Sequence, residues 1–200
     1  MNPKPDIRSS KRWSAALVYA AAGCVLLVLA GRAPAASLLE RLRGLDEPSE
    51  GHPVRARLIA EHDAIAPGGA TAVGVLFEIE PEWHIYAEDP GDAGLPTTLE
   101  WTGPSWAELG PLRWPPHEEF LDAGDIRTRG YAGRVLLSRE LKAAPDAPEG
   151  GSLPVHAQVD WLACREICLP GSASLDLALP VAAGTPAPGP EASEFTGAVR

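Results

Sequence analysis

The sequence predicts an all-β fold, a single β-sandwich of seven or eight strands. Three observations carry this expectation. From His52 to Pro180, proline and glycine recur about every ten residues. Between them, short runs alternate apolar and polar side chains, the pattern of strands with one buried face. Finally, no long amphipathic helix with capping residues is visible, which disfavours a thioredoxin-type βαβ arrangement. The span of about 130 residues suits one sandwich. A domain of that size buries a real core and does not need a disulfide merely to fold.

The strands follow in order. Val54, Ala56, Leu58 and Ala60 alternate with Arg55, Arg57 and Glu61. Pro67-Gly68-Gly69 is a turn. Val73, Val75, Phe77 and Ile79 then share one inward face, and Pro81 ends that strand. Trp83 to Tyr86 and Thr97 to Trp101 are short strands on either side of the turn-rich stretch from Asp89 to Pro96. Tyr131 to Leu141 reads as one long strand, with Tyr131, Val135 and Leu137 on one side. Val155, Ala157, Val159 and Trp161 share a face and lead into Cys164, and Leu175, Leu177 and Leu179 form the returning strand. Trp83, Trp101, Trp114 and Trp161 are expected in the core. The tail from 182 to 200, rich in Ala, Pro, Gly and Glu, is expected to be disordered.

The amino terminus reads as an export signal over residues 1–36. Lys4, Arg8, Lys11 and Arg12 make a basic start, Ser14 to Ala30 is uncharged and apolar, and Ala33-Pro34-Ala35-Ala36 offers small residues for cleavage. An uncleaved anchor is the other reading, since the apolar run is near the roughly 17-residue lower limit of a membrane span. Residues 37–51 form a charged lead-in. Loss of the leader removes five basic residues and one acidic one, taking the net charge from −10 to −14. That balance argues against nucleic acid or anionic lipid as a partner. Export is compatible with an oxidising compartment, where disulfides persist. Cys24 leaves with the leader, so the mature chain keeps two cysteines.

Those two, Cys164 and Cys168, flank Arg165-Glu166-Ile167 at the top of a hairpin. Three intervening residues let the chain reverse and bring the Cα atoms within the roughly 4.4–6.8 Å a disulfide needs. As a staple such a bond is poor. Even a 15-residue loop contributes only about 3 kcal/mol on the loop-entropy account, and this loop is shorter. The spacing therefore favours a bond that opens and closes over one that clips. Arg165 would favour a thiolate there, and Glu166 and Asp160 would oppose it. Copper is a further alternative. Cys164 and Cys168 make a soft site suited to Cu(I), with His84, His117 or His156 as a third ligand. Two cysteines are too few for a structural zinc site.

Four separated blocks resemble a known family. They are EWHIYAEDPGDAGLPTTLEW (Glu82 to Trp101), RWPP (Arg113 to Pro116), GYAGRVLLSREL (Gly130 to Leu141) and VDWLACREICLPGSASLDLALP (Val159 to Pro180). Together they are similar to the amino-terminal periplasmic domain of the thiol:disulfide interchange protein DsbD, in particular to the branch found in copper-sensitivity membrane reductases. The resemblance covers residues 52–181 and implies an immunoglobulin-like sandwich. It also implies that Cys164 and Cys168 pass electrons from a membrane thiol reductase to periplasmic thioredoxin-fold clients, including isomerases and cytochrome c maturation proteins. No organic cofactor or small-molecule substrate is implied. Cys168 would form the mixed disulfide and Cys164 would resolve it. Phe120 falls at the position of an aromatic cap over the pair, with Glu118 and Glu119 beside it. His84 and Tyr86 fall where the family places aromatic residues next to the cysteines. Two departures stand out. The best-studied members have five residues between the cysteines, against three here. Nothing between Ala30 and Arg200 is apolar enough to span a membrane, so the electron donor is expected to be a separate protein.

The sequence thus supports an exported dithiol relay. The two alternatives are a Cu(I)-binding copper-stress protein using the same thiolates, and an immunoglobulin-like interaction module with a structural disulfide.

Overall fold

The computed structural model describes residues 51–122 and 124–197. The leader, most of the lead-in and the last three residues lie outside this range, so the expectations placed on them are not addressed by it.

Ten strands and one short helix make up the described chain: β1 (Val54–Ala60), β2 (Ala70–Ile79), β3 (His84–Gly91), β4 (Thr98–Thr102), β5 (Ala107–Leu109), β6 (Glu118–Asp122), β7 (Ile126–Ala132), β8 (Arg134–Ala143), β9 (Ser152–Cys164), β10 (Cys168–Pro180) and α1 (Ala192–Gly197). A four-stranded sheet has the order β1-β2-β8-β5, and a six-stranded sheet runs β10-β9-β3-β7-β6 with β4 also on β9. All ladders are antiparallel. The sheets face each other across a core in which Val75, Phe77 and Leu137 of one meet Ile85, Val159 and Trp161 of the other. The Phe77 and Trp161 rings pack edge to face at 5.7 Å, a favoured aromatic geometry. The alternating runs of β1, β2, β9 and β10 become strands because period-two hydrophobicity puts most of their apolar side chains on the core face.

Three expectations need correction. The stretch from Tyr131 to Leu141 is not one strand. It breaks at Gly133, whose φ of 66° turns the chain from the six-stranded sheet into the four-stranded one. Tyr131 and Leu137 both point into the core, but from opposite layers. The strand total rises to ten because β5 and β6 are too short and polar to announce themselves. The tail is not disordered over residues 182–197. Pro188 bridges His62, and Phe195, 6% exposed, closes over Ile59, Leu76 and Leu136 on the outer face of the four-stranded sheet. Glu191 and Glu194 pair with Arg57 and Arg134, each at 3.1 Å. A single aromatic and two ion pairs order this otherwise low-complexity segment.

Candidate functional site

Strands β9 and β10 form a hairpin with unbroken register from Ser152↔Pro180 up to Cys164↔Cys168. Arg165, Glu166 and Ile167 make its tip, where the Arg165 N–H donates to the Ile167 carbonyl at 3.0 Å. The cysteines stand directly opposite each other and are joined by a disulfide, with Cα atoms 4.1 Å apart. That is somewhat closer than the sequence-based range. Directly opposed residues in a non-hydrogen-bonded antiparallel pair approach to about 4.5 Å.

Alternation decides which way the bond faces. Val159, Trp161 and Ala163 point into the core, so Cys164 points out of it. The disulfide therefore lies on the outer face of the six-stranded sheet and does not link the two layers. The two sulfurs are unequally placed: Cys164 is 2% exposed, whereas Cys168 is exposed.

A small aromatic cluster occupies the same outer face. Ile85 and Ala87 are core residues, so His84 and Tyr86 share the face of the cysteines. His84 is the register partner of Cys164 on one side and of Ala132 on the other. Its ring meets the Tyr86 ring edge-on, with centroids 5.3 Å apart. Phe120 reaches it from β6, two strands away, and lies flat on the imidazole at 4.4 Å with the planes 13° apart. Beneath Phe120, Thr128 is fully buried.

The turn between β3 and β4 closes the cluster's other flank. Gly94 has φ 101°, and a Cβ there would stand 2.5 Å from Cε1 of Tyr86. Only glycine permits this approach. The Thr97 hydroxyl donates to the Tyr86 carbonyl at 2.7 Å, fixing the turn to β3. On the approach to β6, the Tyr131 hydroxyl donates to the Pro115 carbonyl at 2.9 Å. Burial, and secondarily the nearby Glu88 carboxylate, pushes the Tyr131 phenol up to about 12.

Charge around the pair is arranged differently from the sequence expectation. Arg165 turns away toward Glu82, at 3.4 Å, and lies over the Trp83 ring at 5.0 Å. Asp160 shares the outer face but sits four residues down β9, about 13 Å away at strand rise. Glu118 is exposed on the face that carries Phe120, while Glu119 faces the other way and pairs with Arg127 at 4.0 Å. For copper, His84 alone of the three candidates is a register neighbour of Cys164. His156 lies eight residues down β9 against Asp176 at 3.0 Å, and His117 is exposed just before β6. Among the described residues, no group of three or more His, Cys, Asp or Glu is placed to hold a metal ion.

Residues 55–180 match the family model described as thiol:disulfide interchange protein DsbD, N-terminal. The chain belongs to this DsbD amino-terminal family. Among solved structures it is similar to the N-terminal periplasmic domain of ScsB from Proteus mirabilis, at 23% identity and a TM-score of 0.50. That match covers 64% of this chain and 47% of the other, so the chain spans under half of that relative's length. It is also similar to the DsbD N-terminal domain of Neisseria meningitidis in the reduced form, at 16% identity and a TM-score of 0.38, covering 67% and 90%. None of the curated proteins searched matches. The fold is the immunoglobulin-like sandwich of the DsbD amino-terminal domain. Family and disulfide together support thiol–disulfide interchange. DsbD amino-terminal domains are periplasmic. Among the described residues, no helix is long and apolar enough to cross a membrane.

Proposed function

We propose that this DsbD-type domain is a periplasmic dithiol relay. Cys164 and Cys168 accept electrons from a membrane-embedded thiol reductase and deliver them to thioredoxin-fold clients that carry disulfides. The observation that carries this reading is the unequal placement of the two sulfurs on an outer sheet face. A bond meant only to hold the fold gains little from linking residues already opposed in one hairpin. A bond meant for exchange needs one sulfur within reach of a partner and one held back.

The chemistry follows from that asymmetry. In the reduced state the Cys168 thiolate attacks a client disulfide, forming a Cys168–client mixed disulfide and releasing one client thiolate, which takes a proton from water. Cys164 then attacks the Cys168 sulfur. The Cys164–Cys168 bond re-forms and the second client thiolate leaves. The client has gained two electrons from the pair, and its two protons come through water as Cys164 and Cys168 give theirs up. Between encounters Phe120, lying on His84, shields the Cys164 side from adventitious oxidants. The cap role of Phe120 and the supporting roles of His84, Tyr86, Glu118 and Glu119 belong to this proposal.

The test is covalent capture. A Cys164→Ala variant lacks the resolving thiol and should accumulate a disulfide-linked partner on Cys168 that dithiothreitol releases. Wild-type protein should show the pair reduced by a relay-strength dithiol while folded. A pair that resists such a dithiol in the native state, with no capture on Cys168, returns the domain to an interaction module with a clip.

A further inference from the structure

Cys164 is 2% exposed. In the relay reading, on which this inference rests, its thiol must lose a proton before it can resolve the mixed disulfide. Burial opposes that ionisation, and little of the residue meets solvent that could receive the proton.

On the outer face, the ionisable group in register with Cys164 is His84. The pairing of β3 with β9 consists of two residue pairs, His84↔Cys164 and Ile85↔Ala163. Directly opposite residues on one face have Cβ atoms about 4.5–5.5 Å apart, so the register seats His84 beside Cys164 on the outer face. The ring is 5% exposed and is held between Phe120 and Tyr86. Its orientation is thereby fixed by the cap itself.

We propose that His84 is the proton carrier for Cys164. In the resolving step the imidazole takes the Cys164 thiol proton and becomes imidazolium. The resulting thiolate attacks the Cys168 sulfur, the Cys164–Cys168 bond forms, and the Cys168–client bond breaks with its electron pair on the client sulfur. The imidazolium then passes its proton outward as the partner departs and the cap moves. When the pair is reduced again, the imidazole takes up a proton from solvent and delivers it to the Cys164 sulfur.

The surroundings of the ring suit this role. On its own strand stands Tyr86. From β9 and β10 come Cys164 and Cys168. Ala132, Gly130 and Thr128 of β7 are not ionisable. From β6 comes Phe120, with the exposed Glu118 carboxylate on the same face. At the hairpin tip Arg165 would oppose it, but its guanidinium is engaged by Glu82 and Trp83, and Glu166 is exposed.

The experiment mixes the reduced, folded protein with dithiobis-nitrobenzoate and follows its coloured thiolate by stopped flow. Attack by Cys168 releases the first equivalent, and resolution by Cys164 releases the second. In wild type the second phase should rise with pH as the imidazole gives up its proton, and then level off. His84→Phe keeps a ring under Phe120 but removes the base. It should slow the second phase at least ~100-fold at neutral pH, the lower end of the ~10²–10⁴-fold a general base contributes, and leave the first phase within about 3-fold. Added imidazole should restore part of the second phase in His84→Ala. A His84→Phe protein that resolves at the wild-type rate with the wild-type pH profile overturns the assignment. So does a wild-type second phase that shows no rise to a plateau with pH, a result that needs no variant to fold. A folded wild type that releases no first equivalent overturns the relay reading instead, and this inference with it.

Discussion

Phe120 lies flat on His84, with ring centroids 4.4 Å apart. The contact joins the edge strand β6 to the strand that borders Cys164 and spans the intervening β7. A stack of this kind contributes about 0.5–1.5 kcal/mol beyond area burial. In the proposed cap, that is enough to hold Phe120 closed and little enough for a docking partner to displace.

Phe120→Ala should therefore unshield the pair without unfolding the domain. Removing about 0.5–1.5 kcal/mol of closure raises the open population roughly 2–10-fold. Oxidation of the reduced pair by dilute hydrogen peroxide should accelerate by that factor, read as loss of free thiol with time. The denaturation midpoint should move little, because Phe120 is only half buried. An unchanged oxidation rate would mean that Phe120 shields nothing.

Gly94 tests the opposite flank. With φ 101° and the Tyr86 ring where a Cβ would go, Gly94→Ala should strain the turn and push it off the ring. A backbone mismatch of this kind costs about 1–3 kcal/mol, measurable in a urea melt. Removal of the packing over Tyr86 should also raise tyrosine quenching by acrylamide. A variant as stable as wild type would show that the turn can relax away from Tyr86 at no cost.

Tyr131 gives a pH signature. Its phenol is raised from 10.0 to about 12, first by burial and then by Glu88. An acid whose folded value is raised favours the folded state while it stays neutral. Its contribution is whole below pH ~10, where both states hold the proton. It is lost as the pH climbs from about 10 toward 12, where only the unfolded chain has ionised. Chemical melts should show wild-type stability falling over that window, with a smaller fall in Tyr131→Phe. At neutral pH the same variant should lose about 1 kcal/mol with the hydrogen bond to Pro115. Parallel alkaline profiles would assign the loss to other groups.

Much of this architecture was legible in the sequence, because burial writes a period of two into long strands. Val73, Val75, Phe77 and Ile79 read as an inward face and are one. The reversal between Cys164 and Cys168 read as a hairpin tip and is one. Gly133 was misread because alternation continues on both sides of it. A period of two does not say to which sheet a residue belongs. The place of His84 opposite Cys164 is a long-range pairing that no local pattern encodes: the copper reading offered His84 as one of three histidines, and the family resemblance set it beside the cysteines. Arg165 was assigned to the thiols from its position in the chain. Trp83 and Glu82 claim it through tertiary contacts invisible at that level.

The tail was misjudged for a compositional reason, and Phe195 shows how little is needed to order such a segment. Its ring fills a site made by Ile59, Leu76 and Leu136, three apolar side chains on an otherwise polar sheet face. Phe→Ala at a buried site costs about 3–5 kcal/mol. Here the penalty should fall below that, at about 2 kcal/mol, because a six-residue helix can detach rather than leave a cavity. Phe195→Ala should lower the global stability by that amount and abolish amide protection at Ala187 and Gly189, whose N–H groups bond Asp63 and Glu61. Glu194→Gln should do far less, since an exposed ion pair with Arg134 contributes about 0–1 kcal/mol. Hydrogen exchange at those two amides distinguishes the cases. Rapid exchange in the wild type would show the strap already undocked, and slow exchange in Phe195→Ala would show that the backbone bonds hold it without the ring.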